Sequence, residues 1–262
     1  LHSGLRRILV LTQYKSHSLH KHLRDGWSVF NPELQEYVTP VPAQKINGDN
    51  WYQGTADAIY QNEYLIKRSN AEWTIILSGD HIYRMDYASI LKTHQALNAD
   101  ATIACMKVPI ELANQFGIVT ADAGQKITEF QEKPDITEGC SDDKNFALAS
   151  MGIYIFSTKL LIDILEKDSQ DENSSHDFGK DILPSLIDNN KLFAQYFGES
   201  EGRVSPDNYW RDVGTIDSFY QANMDLLDPV PSMDLYQKDW PIRSYQSQTP
   251  PARAVPGSSG TE

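Results

Sequence analysis

The sequence predicts an α/β fold: a mostly parallel, mixed sheet flanked by helices on both faces, with a small antiparallel lobe added in the second half. Strand-like and helix-like segments alternate along the first part of the chain, which is βαβ order and implies right-handed crossovers. The β-branched, apolar run Trp73-Thr74-Ile75-Ile76-Leu77 breaks off in Ser78-Gly79-Asp80, as a strand does where it ends in such a sheet. Beyond residue 100 several strands follow one another through short connections, a pattern that suits antiparallel or mixed pairing.

In order, Arg7 to Thr12 reads as a strand, and Ser16 to Gly26 as a helix capped by Ser16 and stopped by its glycine. Val38 to Pro42 is a short extended piece. Thr55 to Arg68 places Ala58, Ile59, Leu65 and Ile66 at helical spacing, and a third helix runs from about Asp86 to Leu97. Ala101 to Lys107, Gly117 to Thr120, Ile127 to Phe130 (at its widest Lys126 to Gln131) and Ser150 to Phe156 are strands, and a last helix starts near Thr215. From Asp228 onward six prolines interrupt the chain, so residues 1–227 are expected to form one domain and 228–262 a linker toward a further one.

With 262 residues and 40% hydrophobic content the chain can bury a large core. No apolar run approaches the roughly 20 residues needed to span a bilayer, and no signal-peptide pattern opens it. Cys105 and Cys140 form neither a disulfide framework nor a metal spacing, so a cytoplasmic location is expected. The net charge of −13 argues against nucleic-acid or anionic-membrane partners, which are held by broad basic patches. Phosphate binding in so acidic a chain then calls for divalent cations and a few placed basic residues such as Lys133. The sequence contains no G-x-x-x-x-G-K-[ST], G-x-G-x-x-G, G-x-S-x-G or H-E-x-x-H.

Asp80 at its strand end is placed to hold a metal or polarise a substrate, and Asp212 in Tyr209-Trp210-Arg211-Asp212-Val213-Gly214-Thr215 has a similar setting. The plainer alternative is that Asp80 caps the next helix and Asp212 pairs with Arg211. Gly54-Thr55 reads as a helix start, and the glycine also permits close approach of a ligand, with Tyr52 beside it. Gly117 is a turn after Phe116 or part of a pocket. Trp210 packs in the core or walls a site, the second being favoured. His81 and His176 are expected to be structural hydrogen bonders without a metal role.

Six segments carry a resemblance: WYQGTADA from Trp51, SGDHIY from Ser78, EKP from Glu132, SMGIY from Ser150, HDFGKD from His176 and YWRDVGT from Tyr209. In this order they resemble the bacterial glucose-1-phosphate adenylyltransferase (ADP-glucose pyrophosphorylase) family, from the first residue to about Val255. The resemblance implies a nucleotide-diphospho-sugar transferase fold and the reaction of ATP with α-D-glucose 1-phosphate to ADP-glucose and pyrophosphate, the step toward glycogen. It implies Mg²⁺ held by Asp80 and Asp212, which are also the catalytic pair, since a hard cation takes carboxylate oxygens. It assigns Lys133 to the sugar phosphate, Glu132 to sugar hydroxyls, Asp177 to the sugar, and Tyr52, Gly117 and Ser150 to the substrate pocket, to which the reading of the residues above adds Gly54 and Trp210. Members of the family are typically cytoplasmic homotetramers, activated by a sugar phosphate and inhibited by AMP. Gln44 and Trp51 fall on a segment that resembles the loop relaying activation, and Arg68 matches a position on the effector phosphate; a helix-end arginine facing the dipole is the equal alternative. The family's glycine-rich loop G-G-x-G-x-R-L and its C-terminal β-helix have no counterpart here. The chain is therefore expected to be part of a longer enzyme and inactive alone.

Overall fold

A computed structural model of the chain describes residues 1–44, 51–140, 142–198, 208–238, 240–245 and 248–251. The first strand, β1 (Arg7–Thr12), pairs in parallel with β2 (Tyr37–Pro42), and α1 (His17–Trp27) crosses between them. Ser16 sits at the N-cap of α1 but makes no side-chain cap bond, and Gly26 lies inside the helix. Gly26 serves packing: a Cβ there would come 3.1 Å from the backbone nitrogen of Tyr245.

The expected single helix from Thr55 to Arg68 is two, α2 (Thr55–Tyr60) and α3 (Glu63–Ser69). The break falls at Asn62, which is buried and spends its side-chain amide on the Ala58 carbonyl and the Tyr52 hydroxyl, both at 2.9 Å. An asparagine that binds nearby backbone in this way competes with helix continuation. Next come β3 (Trp73–Leu77), β4 (His81–Tyr83), α4 (Tyr87–Ala96), β5 (Ala101–Pro109), β6 (Gly117–Ala121), β7 (Ile127–Glu132) and β8 (Phe146–Ser157). They are followed by α5 (Thr158–Asp168), a π-helical turn Phe178–Ile182, α6 (Leu183–Leu186), β9 (Leu192–Tyr196), β10 (Trp210–Asp212) and α7 (Ile216–Asp225).

The main sheet is mixed, with strand order β7-β6-β8-β5-β9 and β3 added alongside β8. Its hub is β8. The C-terminal half of this strand runs between β3 and β5, and its N-terminal half continues along β5 and meets β6 at Ala149. β3 and β5 each run antiparallel to β8, whereas β5 and β9 are parallel. Antiparallel ladders thus outnumber parallel ones among the described residues, where a parallel majority is expected from the sequence. Periodicity reports which face of a strand is buried and carries no information about its direction. The β6–β7 hairpin and the β4–β10 pair supply the small antiparallel parts.

The core lies against β5 and β8 and includes fully buried Ile103, Phe156, Leu161, Ile182, Leu183 and Leu192. Each contributes about 1.5–3 kcal/mol through removal from water. Both cysteines are free. The described part of the proline-rich segment lies against this body: Met233 and Trp240 are buried, and the Asp234 carbonyl accepts from Arg84 Nη1 at 2.8 Å. Among the described residues no helix is long and apolar enough to cross a membrane.

Candidate active site

Two groups of polar side chains flank the Ser150-Met151-Gly152 stretch of β8. The first begins where β3 ends. β4 follows Asp80 at once and pairs antiparallel with β10, in a register that sets Asp212 opposite His81. The Val213 amide donates to the Asp80 carbonyl at 2.9 Å, extending the ladder and bringing the two acids together. One ligand atom from each of Asp80, His81 and Asp212 can be chosen so that all lie within 4.8 Å of one another.

The plainer readings of the two acids do not hold. The cap of α4 is Asp86, which accepts from the Ala88 amide at 3.2 Å, and Asp80 belongs to no helix. Arg211 turns away from Asp212 to Asp225, which also accepts from the Tyr209 hydroxyl at 2.9 Å. Alternation along β10 puts Arg211 on the face opposite Asp212. The Asp212 carboxylate instead accepts from the Gly214 amide at 2.7 Å, and the Asp80 side chain is 59% exposed.

His81 makes the structural hydrogen bond expected of it, and it also joins Asp80 and Asp212 in a cluster that the sequence did not bring together. Its Nδ1 lies 2.9 Å from the Met151 carbonyl, and a carbonyl only accepts, so Nδ1 carries the proton. Nε2 then faces Asp80 Oδ1 at 3.5 Å. The adjacency of His81 to Asp80 was visible; its convergence with Asp212 depends on the long-range pairing of two three-residue strands. Trp210 stands edge-on to His81, ring centroids 5.0 Å apart, and edge-on to Phe116 at 5.4 Å. It packs on the core cluster of Met85, Ile90 and Met151 and is half-buried, joining the first group to the second.

The second group is built on the β6–β7 hairpin and the π-helical turn. Gly117 pairs with Glu132, and the next amide, Lys133, donates to the Phe116 carbonyl at 3.0 Å. Lys133 adopts a left-handed backbone, φ +48°, that ends the strand. The Glu132 carboxylate fills a notch: a Cβ on Gly179 would lie 2.3 Å from its Oε2 and one on Gly117 2.9 Å from it. Burial, reinforced by neighbouring Asp177, raises the carboxyl of Glu132 above its ordinary range, against the pull of Lys133 and Lys180. Asp177 Oδ1 accepts from the Gly179 and Lys180 amides at 2.9 and 3.2 Å, and Oδ2 accepts from the Thr55 hydroxyl at 3.0 Å. Ser150 is buried, accepts from the Gly152 amide at 3.3 Å and donates to the Tyr154 hydroxyl at 3.5 Å.

Gly54 and Tyr52 have structural partners. A Cβ on Gly54 would lie 2.2 Å from the His176 carbonyl oxygen, so its close approach is to that backbone. The Tyr52 hydroxyl accepts from Asn62, and burial raises its pKa. His176 binds Asp168 through Nδ1 at 2.8 Å, the structural role expected of it.

The residues expected to serve regulation fall after β2, ahead of α2 and in α3. Gln44 donates to the Pro42 carbonyl at 2.9 Å, and residues 45–50 fall outside the described part. Trp51 is exposed, edge-on to Tyr14 at 6.5 Å, and borders a polar cavity of about 200 Å³ with Gln53, Asp57 and His176. Arg68 is exposed in the last turn of α3.

The nucleotidyl transferase profile matches residues 1–229, most of the chain and both groups of side chains. The chain belongs to the nucleotidyl transferase family. It is 60% identical over 262 residues to a protein named glucose-1-phosphate adenylyltransferase 2 from Vibrio vulnificus strain CMCP6, covering 100% of this chain and 65% of that protein. A protein of the same name from Vibrio cholerae is 58% identical, with 100% and 64% covered, and one from Vibrio parahaemolyticus 57% identical, with 100% and 65% covered. The chain thus spans just under two thirds of the length of these relatives.

The first group has the donor set of a divalent-cation site. Asp80 and Asp212 offer exposed or half-exposed carboxylate oxygens from a rigid ladder, the donor type that Mg²⁺ takes together with substrate phosphate and water. The residues present therefore fit the ion, with Asp80 and Asp212 as those that would hold it. A bound Mg²⁺ would supply charge neutralisation at the phosphates. The nucleotidyl transferase chain itself supplies the rest: the β8 strand, and the carboxylate and ammonium groups of Glu132, Asp177 and Lys133 near β6 and β7, with β6 on the same edge of β8 as β3.

Proposed function

We propose that the protein containing this chain transfers the adenylyl group of ATP to α-D-glucose 1-phosphate. The sugar-phosphate oxygen attacks the α-phosphorus, the bond to the β-phosphate oxygen breaks, and pyrophosphate leaves as ADP-glucose forms. The observation that carries this reading is that two chemically distinct groups approach one edge of β8, the first through His81 at the Met151 carbonyl and the second through β6 at Ala149. One, Asp80 with Asp212, suits a Mg²⁺-bound triphosphate; the other, Glu132, Lys133 and Asp177, suits a phosphorylated sugar. The names of the relatives select ATP and glucose 1-phosphate among the substrates of the family.

Two anions must approach and a third must leave, so charge neutralisation and in-line positioning carry most of the catalysis and no covalent nucleophile is required. Lys133 holds the sugar phosphate as a point charge, and Glu132 accepts from sugar hydroxyls, aided by its fixed seat between Gly117 and Gly179. Tyr52, Gly54 and Ser150 shape the pocket through backbone and packing, and Trp210 supports the wall. In the same reading the intact enzyme is a cytoplasmic homotetramer in glycogen synthesis, activated by a sugar phosphate and inhibited by AMP, with Gln44, Trp51 and Arg68 on the regulatory side.

The test is to incubate the intact protein with Mg²⁺, glucose 1-phosphate and each of ATP, UTP, dTTP and GTP, measuring pyrophosphate and the sugar nucleotide. ADP-glucose formed from ATP at the highest kcat/KM supports the reading. A preference for another nucleotide assigns a different sugar-1-phosphate nucleotidyltransferase, and no turnover with any of them points to a non-catalytic regulatory subunit.

A further inference from the structure

Thr55 joins two segments far apart in the chain. Its hydroxyl donates to Asp177 Oδ2 at 3.0 Å and accepts from the Phe178 amide at 3.1 Å. Around it the start of α2 is pressed onto the backbone before the π-helical turn. The Ala56 and Asp57 amides donate to the His176 carbonyl at 2.8 and 3.4 Å, and a side chain on Gly54 would collide with the carbonyls of Ser175 and His176. The first amides of α2, which in an isolated helix would seek a cap or an anion, are thus satisfied by another loop.

The consequence falls on Asp177. A carboxylate has about four acceptor positions. Here the Gly179 and Lys180 amides hold one oxygen and Thr55 holds the other, so three are taken and the direction of what remains is fixed. Asp177 also sits close to the half-buried Glu132, an ideal Cβ on Gly179 lying 2.3 Å from Glu132 Oε2 and 3.4 Å from Asp177 Oδ1, and it helps to raise the pKa of Glu132. Two like charges move apart unless something holds them, and Thr55 is the only one of the three donors that comes from outside the turn itself.

We infer that Thr55 is a positioning residue for sugar-phosphate recognition: its hydroxyl fixes the Asp177 carboxylate beside Glu132 and ties that half of the site to the α2 end. This rests on the adenylyltransferase reading above, in which Asp177 meets the sugar. Valine matches threonine in shape and removes the hydroxyl, leaving Asp177 Oδ2 and the Phe178 amide without their partner.

The experiment compares Thr55→Val, Thr55→Ser, Asp177→Asn and the Thr55→Val/Asp177→Asn double variant in the intact protein, by steady-state kinetics and thermal denaturation. The expected result for Thr55→Val is a KM for glucose 1-phosphate raised about tenfold, with KM for ATP within about twofold of wild type. Serine should restore the wild-type value, and adding Thr55→Val to Asp177→Asn should raise KM little further. Equal rises in both KM values, a lower melting temperature with both KM values unchanged, additive effects in the double variant, or wild-type behaviour of Thr55→Val would each overturn the inference. If the wild-type protein itself does not turn over glucose 1-phosphate, the functional reading falls and takes this inference with it. An active wild type beside an unaffected Thr55→Val removes the inference alone.

Discussion

Val213 donates its backbone N–H to the carbonyl oxygen of Asp80, so the ladder that positions the Asp80 carboxylate does not depend on it. The side chain is mostly exposed, with His81 Nε2 beside it at 3.5 Å. Asp80→Asn in the intact protein should therefore lower kcat by at least about 10²-fold while leaving the melting temperature close to wild type, because charge held at the phosphates acts mainly in the transition state. Asp212→Ala should lower both, since Asp212 also accepts from the Gly214 amide at 2.7 Å. Normal turnover by Asp80→Asn would remove Asp80 from the chemistry.

Lys133 is held by its own left-handed backbone at the end of β7 and by the hydrogen bond that its amide donates to the Phe116 carbonyl, neither of which needs its ammonium. Lys133→Gln keeps the backbone and removes the charge. Its KM for glucose 1-phosphate should rise roughly tenfold or more, since a charge-assisted bond is worth about 1.5–3 kcal/mol, with that for ATP nearly unchanged. A matched rise in both constants would show that the ammonium does not distinguish the two substrates.

The strand end at Asp80, the helix over 87–96 and most strands of the second half were legible in the sequence because each is a local pattern of apolar spacing closed by a turn or a cap. What escaped depends on contacts between distant segments. β4 and β10 are three residues long, too short to show alternation, yet their pairing brings His81 to Asp212. The break between α2 and α3 hangs on Asn62 reaching the Tyr52 hydroxyl, and the roles of Gly54 and Thr55 on a loop more than a hundred residues away. The direction of β8 could not be read either, because a fully buried strand looks the same in both directions.

Glu132 gives a pH prediction whose sign follows from its environment. Burial first, and Asp177 second, raise its folded-state pKa above the ordinary 4.5, so the native protein holds that proton more tightly than the unfolded chain. The contribution of Glu132 to stability is then fully present below the unfolded pKa and is lost as pH rises through the raised folded value. Sugar recognition runs the other way, because only the ionised carboxylate accepts from hydroxyls on both oxygens. KM for glucose 1-phosphate should climb as pH falls through the raised pKa, at a pH above that of an ordinary glutamate. Glu132→Gln should have a higher KM without this limb. An identical acid limb in the glutamine variant would place the titrating group elsewhere.

Gly152 lies in the middle of β8 with φ +65°, and a Cβ there would fall 2.3 Å from Ser78 Oγ and 3.1 Å from His81 Cε1. Only a glycine adopts this backbone without strain, at a cost of about 1–2 kcal/mol for other residues. Gly152→Ala adds a collision to that strain, and it pushes on Ser78 and His81, which bracket Gly79 and Asp80. In urea denaturation the variant should lose more than the roughly 1–2 kcal/mol of backbone strain, and its kcat should drop as His81 and Asp80 shift. Ser78→Gly in the same chain removes the nearest atom and should bring the loss back toward the strain alone, since Ser78 is exposed and its hydroxyl gives up a 3.4 Å hydrogen bond to the Gly152 carbonyl. Equal stability of Gly152→Ala and wild type would mean that β8 relaxes freely at this point and does not set the floor between the two halves of the site.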